Sequence, residues 1–387
     1  MKNKFIILLF TINYFCCNVH SQTLNPFYYS VANNVSYDTI LKNLQEFQSL
    51  GVKQTGTTAL NNTRNWIVNK YSQYSYTNIL SDIYTSGSNQ LYNVVLTKTG
   101  ILYPNKYVIV CGHYDTRTGT GTNDNGSGIA IILEIARLIK NINTEYSVRF
   151  INFSGEEDGF LGSEHYVSDI VSPENMDIRL VFNIDEVGGV AGQTNNKIKC
   201  ESDQSSPSSN NASSAAFTDT LANLTILYSS LTTEITNAYG SDYMPFQSNG
   251  EIITGYFEYN ESSYVHTSND NLSHLDPSYV SEIAKAATAA TLYFAMAYEG
   301  NVSIAENETM KTTVFPNPFS DNIFVKNSDN EKSFFTIYNL FGEKIFEKDF
   351  SGNENICLDE IPAASYFYRI IKPSGKIIKS GILVKEK

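Results

Sequence analysis

The chain has 387 residues, of which 42% are hydrophobic and 17% charged, as in ordinary globular proteins with a substantial buried core. This length allows two or three domains at the usual ~100–200 residues each. The net charge is -13, which argues against a nucleic-acid or anionic-membrane partner, because no basic field exists to attract phosphates.

The first 21 residues have the features of a secretory signal peptide. Lys2 and Lys4 give a positive start, a mainly apolar run extends to Val19, and compact residues precede a predicted cleavage before Gln22. A membrane anchor is the alternative, but the run is short for a span of ~20 residues. The sequence therefore predicts export without a stable membrane anchor.

Three cysteines follow this segment: Cys111, Cys200 and Cys357. They are too few and too scattered for a disulfide framework, and they exclude a cysteine-rich zinc site. Cys111 ends an apolar run, so we expect it to be buried.

Residues 22–299 alternate between strand-like and helix-like patterns. This alternation predicts an α/β domain with a mostly parallel mixed sheet flanked by helices. The Ser- and Asn-rich residues 202–214 are predicted as a loop or the start of a helix. Strands are predicted over residues 106–111, 147–153, 180–185 and 252–259, and helices over 39–50, 58–71, 128–139 and 278–297.

The amino-acid composition of the chain changes near residue 300. Residues 300–312 are polar and predicted to be a linker, and residues 313–387 carry only short strand-like runs separated by turns. This pattern predicts a small all-β sandwich. Its predicted strands are 323–325, 334–338, 344–350, 366–371 and 376–384.

Polar side chains stand where the predicted strands of the first domain stop. His113 and Asp115 follow the first strand. Glu156 and Glu157 follow the second, and Asp185 ends the third. Ligands of open α/β sheets bind outside the carboxyl ends of the strands, so these side chains can converge on one crevice.

Two further side chains extend this set. Asp124 lies in a glycine-rich loop (GTNDNGSG, residues 121–128) that leads into a helix, whose positive N-terminus favours a carboxylate. His266 comes from the loop after the strand 252–259. Two histidines and three carboxylates without a thiolate suit zinc first, and Co2+ or Mn2+ after it. The candidate metal ligands are His113, Asp124, Glu157, Asp185 and His266.

Five ligands exceed the three that one catalytic zinc usually takes, and they suffice for two ions if one carboxylate bridges. Two ions ~3.5–4 Å apart can clamp a substrate carbonyl and lower the pKa of a shared water to about 7. Of the adjacent Glu156 and Glu157, one then coordinates metal while the other takes the proton of the water. Asp115 is placed to hold the second nitrogen of the His113 imidazole.

Each of these motifs alone is usually a turn, a solvated surface pair or a packed histidine. Their joint placement at successive strand ends favours a metal site. His165 and His274 lack this context, and we expect ordinary surface or packing roles for them.

The motifs resemble those of the co-catalytic di-zinc peptidases, which include aminopeptidase S, bacterial leucyl aminopeptidase and glutamate carboxypeptidase. The resemblance covers roughly residues 35–298. The matching sequences are GHYDT (112–116), TNDNGSG (122–128), SGEEDGFLGS (154–163), NID (183–185) and HTSND (266–270).

The resemblance implies a role for each motif residue. Glu156 would be the general base that becomes the acid to the leaving amine, and Asp115 the supporting carboxylate. For two zinc ions, it implies His113 and Asp185 on one, Glu157 and His266 on the other, and Asp124 between them.

Two departures from the family pattern concern substrate binding. Many members carry Tyr immediately before the last histidine, where it helps to stabilise the oxyanion, whereas Val265 stands here and Tyr264 is one step earlier. Tyr243 stands where a histidine is common, and a cysteine pair that some members carry nearby is missing. The oxyanion donor and the substrate preference therefore do not follow from the resemblance.

The tail resembles the C-terminal sorting domain of the type IX (Por) secretion system. The resemblance lies in VFPNPFSD (314–321), IYNLFG (337–342) and IPAASYFYR (361–369). It implies a secreted or cell-surface protein handled by the type IX machinery. A generic carbohydrate- or substrate-binding β module is the alternative.

The sequence thus predicts a secreted aminopeptidase that acts on peptides with a free N-terminus, since carboxylates near the metals can hold the α-ammonium of the substrate. Carboxypeptidase action and glutaminyl cyclisation on the same scaffold are the alternatives. The resemblance associates the cyclases with one zinc, and the intact TNDNGSG loop favours a dinuclear hydrolase. A non-catalytic binding module is disfavoured because all five ligands and the base are present.

Overall fold

The computed structural model describes residues 22–299, 312–328, 330–339, 344–373 and 377–386. The predicted signal peptide, residues 1–21, lies outside these ranges, and so does the predicted linker apart from its last residue. The chain divides into two compact units between Gly300 and Asn301. No helix in the described part of the chain combines the length and the apolar character needed to cross a membrane.

The first unit is built on an eight-stranded mixed sheet and one small two-stranded sheet. Its strands are β1 (Ile79–Ser86), β2 (Asn89–Lys98), β3 (Tyr103–His113), β4 (Asn143–Thr144), β5 (Tyr146–Phe153), β6 (Asp177–Ile184), β7 (Lys197–Ser202), β8 (Thr232–Asn237), β9 (Ile253–Glu258) and β10 (Ala297–Tyr298). The large sheet has the order β1-β2-β5-β3-β6-β9-β7-β8, and β4 pairs with β10.

The centre of the large sheet is parallel, and the neighbouring strand on each side joins it in antiparallel fashion. Strands β5, β3, β6 and β9 run parallel to one another. The hairpin β1–β2 joins β5 in antiparallel fashion, and β7 is antiparallel to β9 but parallel to β8. The predicted mostly parallel mixed sheet is therefore confirmed.

Helices cover both faces of this sheet. They are α1 (Pro26–Ala32), α2 (Tyr37–Ser49), α3 (Thr58–Gln73), α4 (Gly126–Ile139), α5 (Leu161–Tyr166), α6 (Ser172–Glu174), α7 (Asn211–Tyr228), α8 (Tyr243–Ser248) and α9 (Pro277–Phe294). A π-helical turn, Val167–Val171, joins α5 to α6, and a 3-10 turn, Leu272–His274, precedes α9.

Successive residues of a central strand contribute to opposite cores, as the two-residue period of a strand requires. Val108 and Val110 of β3 pack in the larger core, with residues of α1 to α4, α7 and α9. Ile109 and Cys111 pack in the smaller core, which also holds Phe246 of α8. Cys111 is fully buried, as predicted.

The start of α4 is fixed against the end of β6, and this contact positions the candidate site. The Asn125 side chain accepts a hydrogen bond from the Gly128 backbone N–H at 2.9 Å and donates one to the Ile184 backbone oxygen at 2.9 Å. A β-carbon on Gly128 would lie 2.3 Å from that same Ile184 oxygen. Only glycine allows this approach, which brings Asp124 close to Asp185.

The second unit is a small β sandwich. Its strands are β11 (Thr312–Phe315), β12 (Asn322–Asn327), β13 (Lys332–Tyr338), β14 (Lys344–Ser351), β15 (Glu354–Cys357), β16 (Ser365–Ile371) and β17 (Ile377–Val384). They form an antiparallel sheet β11-β12-β15 and an antiparallel sheet β14-β13-β16-β17. Residues of both sheets share one apolar core, so the all-β prediction is confirmed.

The predicted elements of the first unit are present with small shifts at their ends. The predicted helix 278–297 ends at Phe294, and residues 297–298 form β10 instead. Residues 202–214, predicted as a loop or the start of a helix, include the first turn of α7, which starts at Asn211. The hairpin β1–β2, strands β7 and β8 and most of α7 were not predicted.

Candidate metal centre

The candidate ligands lie at the carboxyl edge of the parallel strands. His113 is the last residue of β3, and Asp185 directly follows β6. Glu156 and Glu157 lie in the loop between β5 and α5. Strands β5 and β6 flank β3 in the sheet, so these loops meet at one place.

The first group of potential ligands consists of His113, Asp124 and Asp185. The His113 Nε2 atom lies 3.2 Å from Asp124 Oδ1 and 3.3 Å from Asp185 Oδ1. All three residues are buried. One ligand atom from each lies within 4.8 Å of the other two, which is a spacing that a single ion can span.

The second group consists of Asp124, Glu157 and His266. The His266 Nε2 atom lies 3.0 Å from Asp124 Oδ2 and 3.0 Å from Glu157 Oε2. This group is more open, since 44% of the His266 side chain is exposed. His266 itself has φ 58, a left-handed conformation that costs a residue other than glycine about 1–3 kcal/mol.

Asp124 belongs to both groups. Its Oδ1 faces His113 and its Oδ2 faces His266, so the two oxygens of one carboxylate point to different sets of ligands. This is the arrangement that a bridging carboxylate needs. All five predicted ligands thus lie together around Asp124.

Asp115 connects His113 to the Glu156-Glu157 loop. Its carboxylate oxygens accept hydrogen bonds from the backbone N–H groups of Glu156 and Glu157, both at 3.2 Å. The His113 Nδ1 atom lies 3.6 Å from Asp115 Oδ1 and 3.2 Å from the Asp115 backbone oxygen. The predicted contact with the second imidazole nitrogen is therefore present chiefly through the backbone, while the carboxylate mainly holds the loop.

Glu156 lies on the His113 side of the site. Its Oε2 is 3.9 Å from His113 Nε2, and the side chain is largely buried. Burial raises the pKa of Glu156 to about 10, and the neighbouring Asp185, Asp242 and Asp115 add to this effect. A cation bound beside His113 would lower this raised pKa, and from this position the carboxyl group could then exchange a proton with a molecule bound there.

The site concentrates negative charge. Burial raises the pKa of Glu157 to about 7, with the Asp124 carboxylate contributing next. Burial opposes protonation of His113, but the carboxylates of Asp185 and Glu156 more than offset it and raise the pKa of this imidazole. The carboxylates of this cluster outnumber its two histidines, and divalent cations would balance the excess negative charge. The oxygen and nitrogen donors therefore fit zinc or a similar ion.

Two residues outside the predicted set hold the ligands in place. Ser241 Oγ donates a hydrogen bond to Asp185 Oδ2 at 2.5 Å and accepts one from Asn183 Nδ2 at 2.8 Å. Asp270 accepts from the backbone N–H of Asn123 at 2.7 Å and from that of Asp124 at 3.1 Å. Asp270 ends the HTSND motif, which was the available signal, whereas no sequence feature marked Ser241.

Three more carboxyl groups surround the site. Glu258 is fully buried and accepts hydrogen bonds from Asn123 Nδ2 and from the Gly189 N–H. Asp242 is fully buried, with one oxygen bonded to Ser163 Oγ at 2.7 Å and the other without a hydrogen-bond partner among the described residues. Glu186 follows Asp185 and is half-buried. Burial raises the pKa of Glu258 and Asp242 to about 7 each, and that of Glu186 to about 10.

Three further residues considered in the sequence analysis, Tyr264, His165 and His274, are not among the potential metal ligands. The Tyr264 ring stacks on His274 with 3.9 Å between ring centroids, and its hydroxyl forms no hydrogen bond to any described residue. His165 stacks on Tyr84 and contacts Asp82, and neither of these partners belongs to the two ligand groups. Neither His165 nor His274 joins the potential ligands.

Comparison with protein-family models gives two matches. Residues 93–291, somewhat more than half of the chain, match the model of peptidase family M28. Residues 313–385 match the model of the secretion system C-terminal sorting domain.

Individual relatives agree with the first match. An aminopeptidase of Bacillus subtilis, YwaD, is 31% identical over 193 residues, which are 47% of this chain and 40% of that protein. The chain therefore matches well under half the length of this relative.

Solved structures share the fold. The Legionella pneumophila LapA aminopeptidase aligns with a TM-score of 0.64 at 21% identity, over 77% of this chain and 81% of that one. A glutaminyl cyclase from Macrostomum lignano aligns with a TM-score of 0.61 at 16% identity, over 70% and 94%. At these identities the likeness concerns the fold alone.

Proposed function

Because this chain belongs to peptidase family M28, we propose that it is a secreted metallo-aminopeptidase with a dinuclear zinc site. In this proposal His113 and Asp185 hold one ion, Glu157 and His266 hold the other, and Asp124 bridges them. Co2+ or Mn2+ could replace zinc, because the ligands are all nitrogen and oxygen donors.

The observation that carries the proposal is the orientation of Asp124. Its Oδ1 lies 3.2 Å from His113 Nε2 and its Oδ2 lies 3.0 Å from His266 Nε2. A carboxylate that served one ion would not need a histidine beside each oxygen. The division of the ligands into two groups that share this residue favours two ions.

The bound ions would polarise the scissile carbonyl and lower the pKa of the attacking water to near neutrality. Glu156 then accepts the proton of this water and returns it to the leaving amine. Asp115 keeps Glu156 in reach, because it accepts the backbone N–H of both Glu156 and Glu157. Ser241 orients Asp185 by donating to its carboxylate, and Asp270 holds Asp124 by accepting its backbone N–H.

Restriction to N-terminal bonds is supported by the surplus of carboxylates. Glu186 lies directly beside Asp185, and its side chain forms no hydrogen bond or ion pair with the described residues. Glu186 and Glu156 are not among the five proposed ligands, and two divalent ions bound beside them would favour the ionised forms of both carboxyl groups. A free α-ammonium of a peptide would be attracted to this charge, whereas a blocked N-terminus would not.

The alternatives are carboxypeptidase action and glutaminyl cyclisation. The cyclisation alternative has the support of a cyclase with the same fold. The two ligand groups around Asp124 favour the dinuclear hydrolase over an enzyme with one zinc.

The proposal is tested by incubating the zinc-loaded protein with four substrates: a leucyl-anilide, a leucine-initiated peptide, its N-acetylated form and a peptide that begins with Gln. Zinc content is measured on the same samples. We expect release of aniline and free leucine, no action on the blocked peptide and about two zinc ions per chain. Release of C-terminal residues, or conversion of N-terminal Gln to pyroglutamate without leucine release, would reject the aminopeptidase assignment.

For the second unit we propose a role in secretion by the type IX machinery. Its match to the sorting-domain model supports this role. In a host with that machinery, the full chain should reach the medium or cell surface, and a chain ending at residue 312 should stay in the periplasm. Equal export of both would favour a binding module instead.

A further inference from the structure

A single arginine stands out beside the acidic metal centre. Arg117 follows the GHYDT motif, and its backbone N–H donates a hydrogen bond to Glu157 Oε1 at 2.9 Å. The Arg117 backbone therefore contacts the second, more open ligand group, which contains Glu157.

Arg117 is exposed, and its guanidinium is unpaired in the part of the chain that the structure describes. Within the described residues it forms neither a hydrogen bond nor an ion pair, nor does it lie over an aromatic ring. This differs from the other cations nearby. The Lys53 ammonium is buried and bound to the backbone oxygens of Gly51 and Thr120, and Lys199 is paired with Glu261.

The backbone of Arg117 is held on both sides although its side chain is free. The Gln54 Nε2 donates to the Arg117 backbone oxygen at 2.6 Å. The preceding Thr116 is fixed twice to Lys53, since its Oγ accepts the Lys53 N–H at 2.9 Å and its own N–H donates to the Lys53 backbone oxygen at 3.3 Å. A side chain on such a rigid base can recognise a ligand at little cost in backbone order.

We propose that Arg117 is a specificity-determining residue that binds a carboxylate of the peptide substrate, an inference that rests on the proposed aminopeptidase function. The side chains of the two ligand groups are carboxylates and histidines, whereas Arg117, bonded to Glu157 through its backbone, carries a guanidinium. A guanidinium at this position pairs with a carboxylate through two parallel hydrogen bonds, which is its preferred geometry.

The source of the carboxylate follows from chain length. Each extended residue spans at most about 3.6 Å, so the C-terminal carboxylate of a dipeptide or tripeptide stays within a few residues of the scissile bond. In a longer peptide that carboxylate moves away, and only an acidic side chain next to the bond could replace it. In the proposal the carboxylate is the free C-terminus of a short peptide, and an acidic side chain is the other source that the test distinguishes.

The test compares substrates that differ only in the carboxylate. The wild-type protein and the variants Arg117→Gln and Arg117→Lys are assayed for kcat/KM on Leu-Gly, Leu-Gly-amide, Leu-Asp-amide, Leu-Asn-amide and leucyl-anilide. We expect Arg117→Gln to lower kcat/KM for Leu-Gly about tenfold more than for Leu-Gly-amide, mainly through KM. The kcat/KM of Arg117→Lys for Leu-Gly should lie between those of the wild type and Arg117→Gln, because lysine keeps the charge but cannot form the two parallel hydrogen bonds.

Binding without turnover provides a second readout. In the Glu156→Gln background, calorimetry should give a tighter Kd for Leu-Gly than for Leu-Gly-amide, and the difference should vanish when Arg117→Gln is added. If Arg117→Gln weakened the preference for Leu-Asp-amide over Leu-Asn-amide, but not the preference for Leu-Gly over Leu-Gly-amide, the bound carboxylate would be that of a side chain. This result would reject the preference for short peptides.

Equal effects of Arg117→Gln on both members of each pair would overturn the Arg117 proposal while leaving the enzyme class intact. Absence of leucyl-anilide hydrolysis by the zinc-loaded wild type would instead reject the function itself. The two failures are therefore distinguishable.

Discussion

Ser241 donates a 2.5 Å hydrogen bond to Asp185 and leaves the other oxygen of that carboxylate, Oδ1, facing His113 at 3.3 Å. The two oxygens of Asp185 thus have separate tasks. One is fixed by a hydroxyl that itself receives the Asn183 amide, and the other is directed into the first ligand group.

We therefore expect Ser241→Ala to weaken metal binding. Outer hydrogen bonds to ligands typically contribute 10–100-fold in affinity, so the zinc Kd should rise by about this factor. Competition with a chromogenic chelator measures it. Ser241→Thr is the matched control, since it keeps the hydroxyl. An unchanged Kd in Ser241→Ala would show that Asp185 needs no such support.

Glu156→Gln should retain zinc and lose turnover. The amide has nearly the same shape but cannot accept the proton of the water, and general-base catalysis is typically worth 10²–10⁴-fold. Leucyl-anilide hydrolysis and zinc content measure the two effects. The exposed Asp158, two positions along, gives the control Asp158→Asn, which should behave like the wild type. A residual rate of one tenth would contradict the assignment of the base.

The number of ions is tested by removing a shared and an unshared ligand. Asp124→Ala should lose nearly all zinc because this carboxylate faces both groups, whereas His266→Ala should lose about half. Metal analysis after gel filtration measures both. His165→Ala is the control, since that imidazole contacts Asp82 instead. Loss of all zinc in His266→Ala would point to one ion rather than two.

Gly119 fixes the distance between the loop before Asp124 and the loop of His266. Its φ is 80, and a β-carbon there would lie 2.1 Å from the Thr267 backbone oxygen. Gly240 has φ 62 but no atom within 4 Å of the added carbon. Gly240→Ala should therefore cost only the left-handed strain of ~1–2 kcal/mol, and Gly119→Ala about 1–3 kcal/mol more. Urea unfolding measures both, and equal losses would exclude the clash as the cause.

Glu201 should make stability depend on pH. It is buried, accepts a hydrogen bond from the Tyr243 hydroxyl at 2.7 Å, and burial raises its pKa from 4.5 to about 8. Between these two values the unfolded chain is ionised while the folded chain retains the proton. Stability therefore falls as pH rises from about 4.5 to 8, and it is fully present only below that window.

Glu201→Gln removes the ionisation and keeps an acceptor for Tyr243. The gain in Tm over the wild type should be small at pH 5 and should grow up to pH 8. Glu174→Gln, at an exposed position, is the control and should show no such trend. A constant difference across this range would mean that the Glu201 carboxyl does not hold its proton.

Much of the fold could be predicted because the central strands are nearly continuous apolar runs. Residues 108–111 of β3 contribute to both cores, and this burial on two faces leaves a clear signal. The edge strand β1 alternates exposed and buried residues and includes Ser81 and Asp82, so its pattern is weak. Helix α7 begins with small polar residues, NASS, which resemble the loop before it.

For the candidate site, the sequence indicated residues at the ends of strands but not the residues that orient them. Proximity of His113 and Asp185 follows from the pairing of adjacent parallel strands. The bonds from Ser241 to Asp185 and from Asp124 to Asp270 depend on how distant loops pack, and no periodicity records that. The position of Asp115 two residues after His113 also could not show that its carboxylate binds the backbone of the Glu156-Glu157 loop.

The order of the potential ligands along the chain has a consequence for synthesis. His113 comes first and His266 last, and the two meet only through Asp124 once the intervening strands have paired. The second ligand group, which includes His266, therefore cannot form until the chain has folded beyond that residue. Peptide cleavage would begin only when folding is complete, which would spare the proteins of the cell that makes it.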